Sequence, residues 1–149
     1  MKHNQFLLMT LIFLLMLAGG AGQIRAANAV VGDGSPESCT EAAFDAALAT
    51  AVSGGGTITF NCGDNPHTIQ FTNTKTLTDD IILDGGDRIT LSGGGAARPF
   101  LITGSPVEIR HLSLTQGQAA NGGAIQVAAD GYLTLADSYL TANTATSIG

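Results

Sequence analysis

Residues 121–146 read NGGAIQVAADGYLTLADSYLTANTAT. Paired glycines (Gly122-Gly123) lead into a short alternating run, Ala124–Val127. Asp130-Gly131 makes a turn, and a second run follows at Leu133-Thr134-Leu135. Ser138-Tyr139-Leu140-Thr141 and Asn143 complete the unit. Val107–Gly117 echoes Leu133–Asn143 at a distance of 26 positions. Ile109 falls on Leu135, and Leu114-Thr115 falls on Leu140-Thr141. A repeat of about 20–50 residues marks an array whose units bury their apolar faces only against neighbours.

Working upstream, the chain reads as short alternating runs divided by Gly, Asp or Pro. These are Thr57–Cys62, His67–Phe71, Asp80–Leu83, Arg88–Leu91, Phe100–Thr103, Val107–Ile109, Leu112–Leu114, Ala124–Val127 and Tyr132–Leu135. Period-two alternation places every second residue on one face of a strand. A sandwich or meander remains open, but its hairpins favour Asn-Gly or Asp-Gly turns. Only Asp130-Gly131, and more weakly Asp84-Gly85, fit that description. Short strands with a repeat near 26 predict an all-β chain, a right-handed parallel β-helix (solenoid). The mature part has one good helix signal, placed at 39–52. Ser38-Cys-Thr-Glu41 has capping-box form. Phe44, Ala47, Leu48, Ala51 and Val52 form one apolar stripe, and Ser53–Gly56 ends it. This amphipathic helix is expected to cap the N-terminal end of the stack, because uncovered strand edges invite aggregation.

The first 29 residues read as a signal peptide. Lys2 precedes an apolar run, Phe6–Ala18, too short to span a bilayer comfortably, and small residues follow. Ala27-Asn28-Ala29 fits a cleavage site, and sites nearer Ala18–Gly22 are open. A retained membrane anchor is the alternative. Residues 30–149 then form the N-terminal cap and first coils, expected to continue in a longer protein. The chain of 149 residues carries a net charge of −6. Removing 1–29 takes Lys2 and Arg25 and no acid, leaving −8. Such a balance, without basic clusters, argues against nucleic acid and against anionic membranes as partners. Cys39 and Cys62 are the two cysteines. In an exported chain an even count reads as one disulfide, with two buried thiols as the alternative. No C-x-x-C or paired histidines suggest zinc.

Together Val31-Gly-Asp-Gly-Ser-Pro-Glu-Ser-Cys-Thr-Glu-Ala-Ala-Phe44, the Gly-Gly-Thr-Ile-Thr-Phe-Asn-Cys-Gly of 55–63 and the Ile-Leu-Asp-Gly-Gly-Asp-Arg-Ile-Thr-Leu-Ser-Gly-Gly of 82–94 carry a resemblance. They resemble exported bacterial right-handed parallel β-helix proteins of the pectin-lyase-like superfamily. Gly122–Ile125 with Asn143 is similar to the repeats of polymorphic outer membrane proteins, although Tyr139 or Leu140 stands where those repeats carry Phe. The resemblance spans about 31–146. It implies a secreted or cell-surface stalk, and some relatives are polysaccharide lyases or hydrolases.

Candidate chemistry is sparse. Asp79, Asp80, Asp84 and Asp87 form the densest acidic cluster. Calcium favours several carboxylate oxygens, but Asp beside Gly-Gly equally caps a tight turn. Arg88, Arg98 and Arg110 could contact carbohydrate or serve as a lyase base, and singly they read as surface residues. His111 could act in acid–base chemistry, and His67 lies in a turn; both also read as solvent-facing. Phosphate loops, nucleophile elbows and H-E-x-x-H are absent from the sequence. No catalytic, cofactor or metal residue is assigned; the only paired site residues are Cys39 and Cys62. The expected function is an exported surface or extracellular scaffold, adhesive or polysaccharide-contacting, with polysaccharide or a cell-surface protein as partner. The alternative is the N-terminal part of a pectate-lyase-like enzyme working by calcium-assisted β-elimination; calcium enters only there. A sandwich-type binding module is a third reading.

Overall fold

The computed structural model describes residues 26–78, 80–104 and 106–147. Most of the expected signal peptide, and Asp79 of the acidic cluster, lie outside the described residues. One α-helix and twelve strands follow in order: β1 (Ala29–Val31), α1 (Glu41–Ala51), β2 (Gly56–Phe60), β3 (His67–Gln70), β4 (Lys75–Leu77), β5 (Ile81–Ser92), β6 (Phe100–Ile102), β7 (Pro106–Thr115), β8 (Gln118–Ala119), β9 (Ile125–Val127), β10 (Tyr132–Ala136), β11 (Tyr139–Thr141) and β12 (Thr144–Ala145).

Every pairing among the described strands is parallel. The largest sheet runs β1-β2-β5-β7-β10, with β3 on β5 and β11 on β7. A second sheet is β4-β6-β9, and a third is β12-β8. Ile109 pairs with Leu135 and Leu114 with Leu140, so the sequence echo is a ladder register. Like residues therefore stack in columns. One column is Ile58, Leu83, Ile109 and Leu135; another is Ile69, Leu91, Leu114 and Leu140. Asp130-Gly131 makes no hairpin: β9 pairs with β6 and β10 with β7.

The all-β solenoid expected from the sequence is corrected here. The chain is mixed, with parallel sheets and a helix built into the core rather than laid on as an accessory. Phe44, Ala47 and Ala51 on α1 are buried. The Phe44 ring lies 6.3 Å from Phe60, 4.9 Å from Phe71 and 6.1 Å from Phe100, centroid to centroid. The strand rules that read the alternating runs gave this helix no place in the interior, yet its aromatic ring joins residues from separate strands. The apolar stripe itself was legible, because buried positions recur every three to four residues.

Two local expectations also change. The helix spans 41–51 rather than 39–52, and Thr40, not Ser38, caps it: the Thr40 hydroxyl accepts from the Ala43 N–H at 3.2 Å. Ser38 instead ends a 3-10 turn, Pro36–Ser38. Its hydroxyl donates to the Ser35 carbonyl at 2.6 Å and accepts from the Asp33 N–H. Glu41 does not reach back to close a capping box. It accepts from the Thr72 N–H and hydroxyl and pairs with buried Lys75 at 2.7 Å. Asp45 and Asn73 hold the same ammonium, tying α1 to β4. The Cys39–Cys62 disulfide is present, with its Cα atoms 5.6 Å apart.

Candidate functional site

Residue number and register together create one irregular place on the outer surface. In β5, four residues, Gly85–Arg88, separate Asp84 from Ile89, whereas in β7 only His111 separates their partners Arg110 and Leu112. The surplus residues bulge outward. Bulges of this kind bend a strand and re-aim its side chains. The sequence reading took Asp84-Gly-Gly-Asp87 as the end of one strand; it is instead an interruption inside a single long one. Gly85 is required there, because a Cβ would strike the Leu112 side chain and the His111 carbonyl.

The chain turns this corner with a left-handed residue on each successive rung: Asp87 at φ 62°, His111 at 51° and Asp137 at 43°. Non-glycine residues adopt that conformation at a cost of roughly 1–2 kcal/mol each, so the surrounding ladder holds them there. The row sets three titratable side chains along the direction in which the strands stack. Beside it run Thr90, Ser113 and Tyr139, which are direct register partners.

Two shallow clefts flank the bulge. One, of about 290 Å³, is lined by Asp87, Arg88, Thr90, His111, Asp137 and Tyr139, among others. The other, of about 360 Å³, includes Asn61, Asp64, Gly86 and Arg88. Arg88 stands between them. Its guanidinium is more than half exposed and lies 3.7 Å from fully exposed Asp64.

Asp84 lines neither cleft but holds His111, which lines one of them. Its Oδ2 accepts from Arg110 Nε at 2.9 Å, and its Oδ1 accepts from the Gly86 N–H at 3.1 Å. His111 Nδ1 lies 3.2 Å from the same Oδ1. A carboxylate only accepts, so this contact places a proton on Nδ1. Nε2 then faces Asp137, 3.7 Å away, and the cleft. Burial alone would push the Asp84 carboxyl up. The Gly86 N–H, Arg110 and His111 outweigh it and hold the carboxyl below its ordinary 3.8. Arg110 is raised in turn by its hydrogen bonds to Asp84 and Glu108.

Glu41, whose burial is likewise outweighed by Lys75 and Thr72, is also held below its ordinary 4.5. Both carboxyls bind protons more readily in the unfolded chain. Their stabilisation is thus complete above the ordinary values of 3.8 and 4.5, and is lost as pH falls through the lower folded values. The urea midpoint should be lower at about pH 3 than at about pH 6. Arg110→Ala should shrink that difference, as titration series of both proteins will show.

The other sequence candidates scatter. Asp80 and Asp84 lie at opposite ends of one run, about 13 Å apart at strand rise. Among the described residues no three His, Cys, Asp or Glu side chains gather as a metal site. Arg98 donates to the Asn121 carbonyl at 2.8 Å and to Gln126 Oε1 at 2.5 Å, clamping β9 and the turn that leads into it. His67 is no solvent-facing turn residue; its Nε2 lies 3.1 Å from the Cys39 carbonyl. Asn143 bonds the Leu114 carbonyl and the Gly117 N–H, a turn role. Sequence reasoning missed Asp137, Thr90, Ser113 and Tyr139 as cleft residues. The 26-residue offset links His111 to Asp137 and Ser113 to Tyr139, whereas Thr90 pairs with Ser113 at an offset of 23, which only the bulge explains. No protein family, curated protein or solved structure matches the chain.

Proposed function

We propose that this chain is an exported cell-surface or extracellular scaffold that holds polysaccharide along its outer face. The observation that carries the reading is the cleft at the bulge. It offers carboxylates, a guanidinium, an imidazole and hydroxyls around an exposed aromatic ring, Tyr139. Sugar rings present hydroxyls at their edges and apolar C–H faces, and this set meets both. The shallow, open form suits an extended polymer. Among the described residues no helix is long and apolar enough to cross a membrane. Export rests on the apolar N-terminal segment. Ala27 and Asn28 hydrogen-bond to Gly55 and Thr57, and Ala29 pairs with Ile58. Cleavage near Ala18–Gly22 keeps these contacts, whereas cleavage after Ala29 removes them and leaves Val30 and Val31 paired with β2.

Affinity electrophoresis through gels containing single plant and bacterial polysaccharides tests the reading. Retardation by at least one polymer, weakened about tenfold or more in Tyr139→Ala and Arg88→Ala, supports it. Unretarded migration through every polymer, or retardation untouched by both substitutions, contradicts it.

One observation favours a second reading, a polysaccharide lyase. The Asp84–His111 contact leaves Nε2 aimed at the cleft beside Arg88, as a base oriented by a carboxylate would be. On pectins with calcium, an unsaturated-uronate absorbance that disappears in His111→Ala supports it, and a flat trace removes it.

A further inference from the structure

We propose that the folded protein joins Lys75 to Asp45 through a covalent side-chain amide, with Glu41 relaying the protons. Lys75 is the single lysine among the described residues, and its side chain is 4 % exposed. Four oxygens crowd its Nζ: Glu41 Oε1 at 2.7 Å, Asp45 Oδ1 at 2.7 Å and Oδ2 at 2.9 Å, and Asn73 Oδ1 at 2.9 Å. The Phe71 ring closes another side, its centroid 5.2 Å away. Both Asp45 oxygens touch Nζ, which sets the nitrogen about 3 Å from Cγ, the range of a near-attack approach.

Two carboxylates face one ammonium here, beside an aromatic ring. A buried ion pair returns little, because both partners lose their water. An amide removes one charge of each sign. It leaves Glu41 with Thr72, whose N–H and hydroxyl it already accepts. Free carboxylate and ammonium groups do not condense in water, because bringing them together costs too much entropy. The fold supplies that ordering: α1 brings Glu41 and Asp45, the turn before β4 brings Asn73, and β4 brings Lys75. Effective concentrations of groups so aligned reach about 10⁵–10⁸ M.

The step balances within the cluster. The ammonium passes a proton to Glu41, and the neutral Nζ attacks Asp45 Cγ. The new N–C bond forms as one Cγ–O bond breaks. That oxygen takes the proton held by Glu41 and a second one from Nζ, and leaves as water. Nothing is oxidised or reduced, and Glu41 returns to its carboxylate. Asp45 is half exposed, which gives the water a way out. The ion pairs described above are the arrangement before the bond closes. The product ties α1 to β4 across 30 positions, and unlike the Cys39–Cys62 bond it resists reduction.

Intact mass of the purified chain, reduced and denatured, tests the proposal together with peptide mapping. The expected mass is one water short of the sequence counted from its mapped N-terminus, with the Lys75 peptide joined to the Asp45 peptide. Lys75→Arg keeps the positive charge but cannot condense, so its peptides should map separately. Glu41→Gln keeps both reacting groups and removes the relay. It should slow joining about a hundredfold or more, read as the joined fraction over time in freshly made protein. Circular dichroism reports the fold of both variants, and the unsubstituted chain decides the matter even if neither folds. Separate Lys75 and Asp45 peptides in the unsubstituted chain overturn the proposal. A loss of ammonia with Lys75 joined to Asn73 overturns it too, as does equally fast joining in a folded Glu41→Gln variant.

Discussion

Replacing Phe44 with alanine is expected to lower the unfolding free energy by about 3–5 kcal/mol, the range for deleting a fully buried aromatic ring. Phe44 is completely buried and is the one helix side chain in ring contact with Phe60, Phe71 and Phe100. Those three rings belong to or adjoin different strands, so the loss falls on the junction of α1 with the sheets. Two effects add: the lost transfer of the ring out of water, and a cavity that stiff parallel ladders cannot collapse. Aromatic pairing adds about 0.5–1.5 kcal/mol per good contact. Phe44→Leu should cost markedly less, because it keeps most of the volume. Urea unfolding followed by far-ultraviolet circular dichroism measures both. Equal small losses for the two variants would place α1 outside the core.

The second large effect is removal of the disulfide. Cys39 and Cys62 are 23 positions apart and both buried. Chain-entropy arguments give such a loop about 3 kcal/mol. The loop encloses α1 and β2, so the bond restrains the helix and the strand it packs against in the unfolded chain. The paired variant Cys39→Ala with Cys62→Ala is therefore expected to unfold at a urea concentration lower by about 1–3 M, taking slopes usual for small proteins. Reducing agent should reproduce the shift in the unsubstituted protein and leave the paired variant unchanged.

How far the sequence led can be seen in particular residues. Ile109 over Leu135 and Leu114 over Leu140 were readable, since a ladder only needs like residues at a fixed interval. The disulfide was readable from an even cysteine count once the sequence was read as that of an exported chain. The class was not, because Phe44 reads as one member of an amphipathic stripe. Nothing local announces that its ring will sit among Phe60, Phe71 and Phe100. Strand β4 was missed because Lys75-Thr76-Leu77 looks like surface. Lys75 is buried only because Glu41, Asp45 and Asn73, distant or turned away in sequence, converge on it.

The cleft was legible in pieces. Asp84, Asp87, Arg88, Arg110 and His111 were all singled out, but as separate turn and surface residues. What joins them is the bulge. Its Asp-Gly-Gly-Asp signature is indistinguishable from a terminating turn until the strands on either side are seen to share one neighbour. His67 and Arg98 went the other way, from candidate chemistry to clamps on the Cys39 carbonyl and the Asn121–Gln126 segment.

The parallel register underlies the cleft and the stacked corner alike, and a pair of new cysteines tests it most directly. Thr115 and Thr141 are register partners, and adjacent strands lie about 4.8 Å apart, within disulfide reach. Thr115→Cys with Thr141→Cys should oxidise to a single intramolecular bond, mapped by peptide mass analysis, with the Cys39–Cys62 bond retained. Thr115→Cys with Leu140→Cys should not, since that shift turns the second thiol to the opposite face. Bridging in the shifted pair, or none in the matched pair, would contradict the register on which the whole account stands.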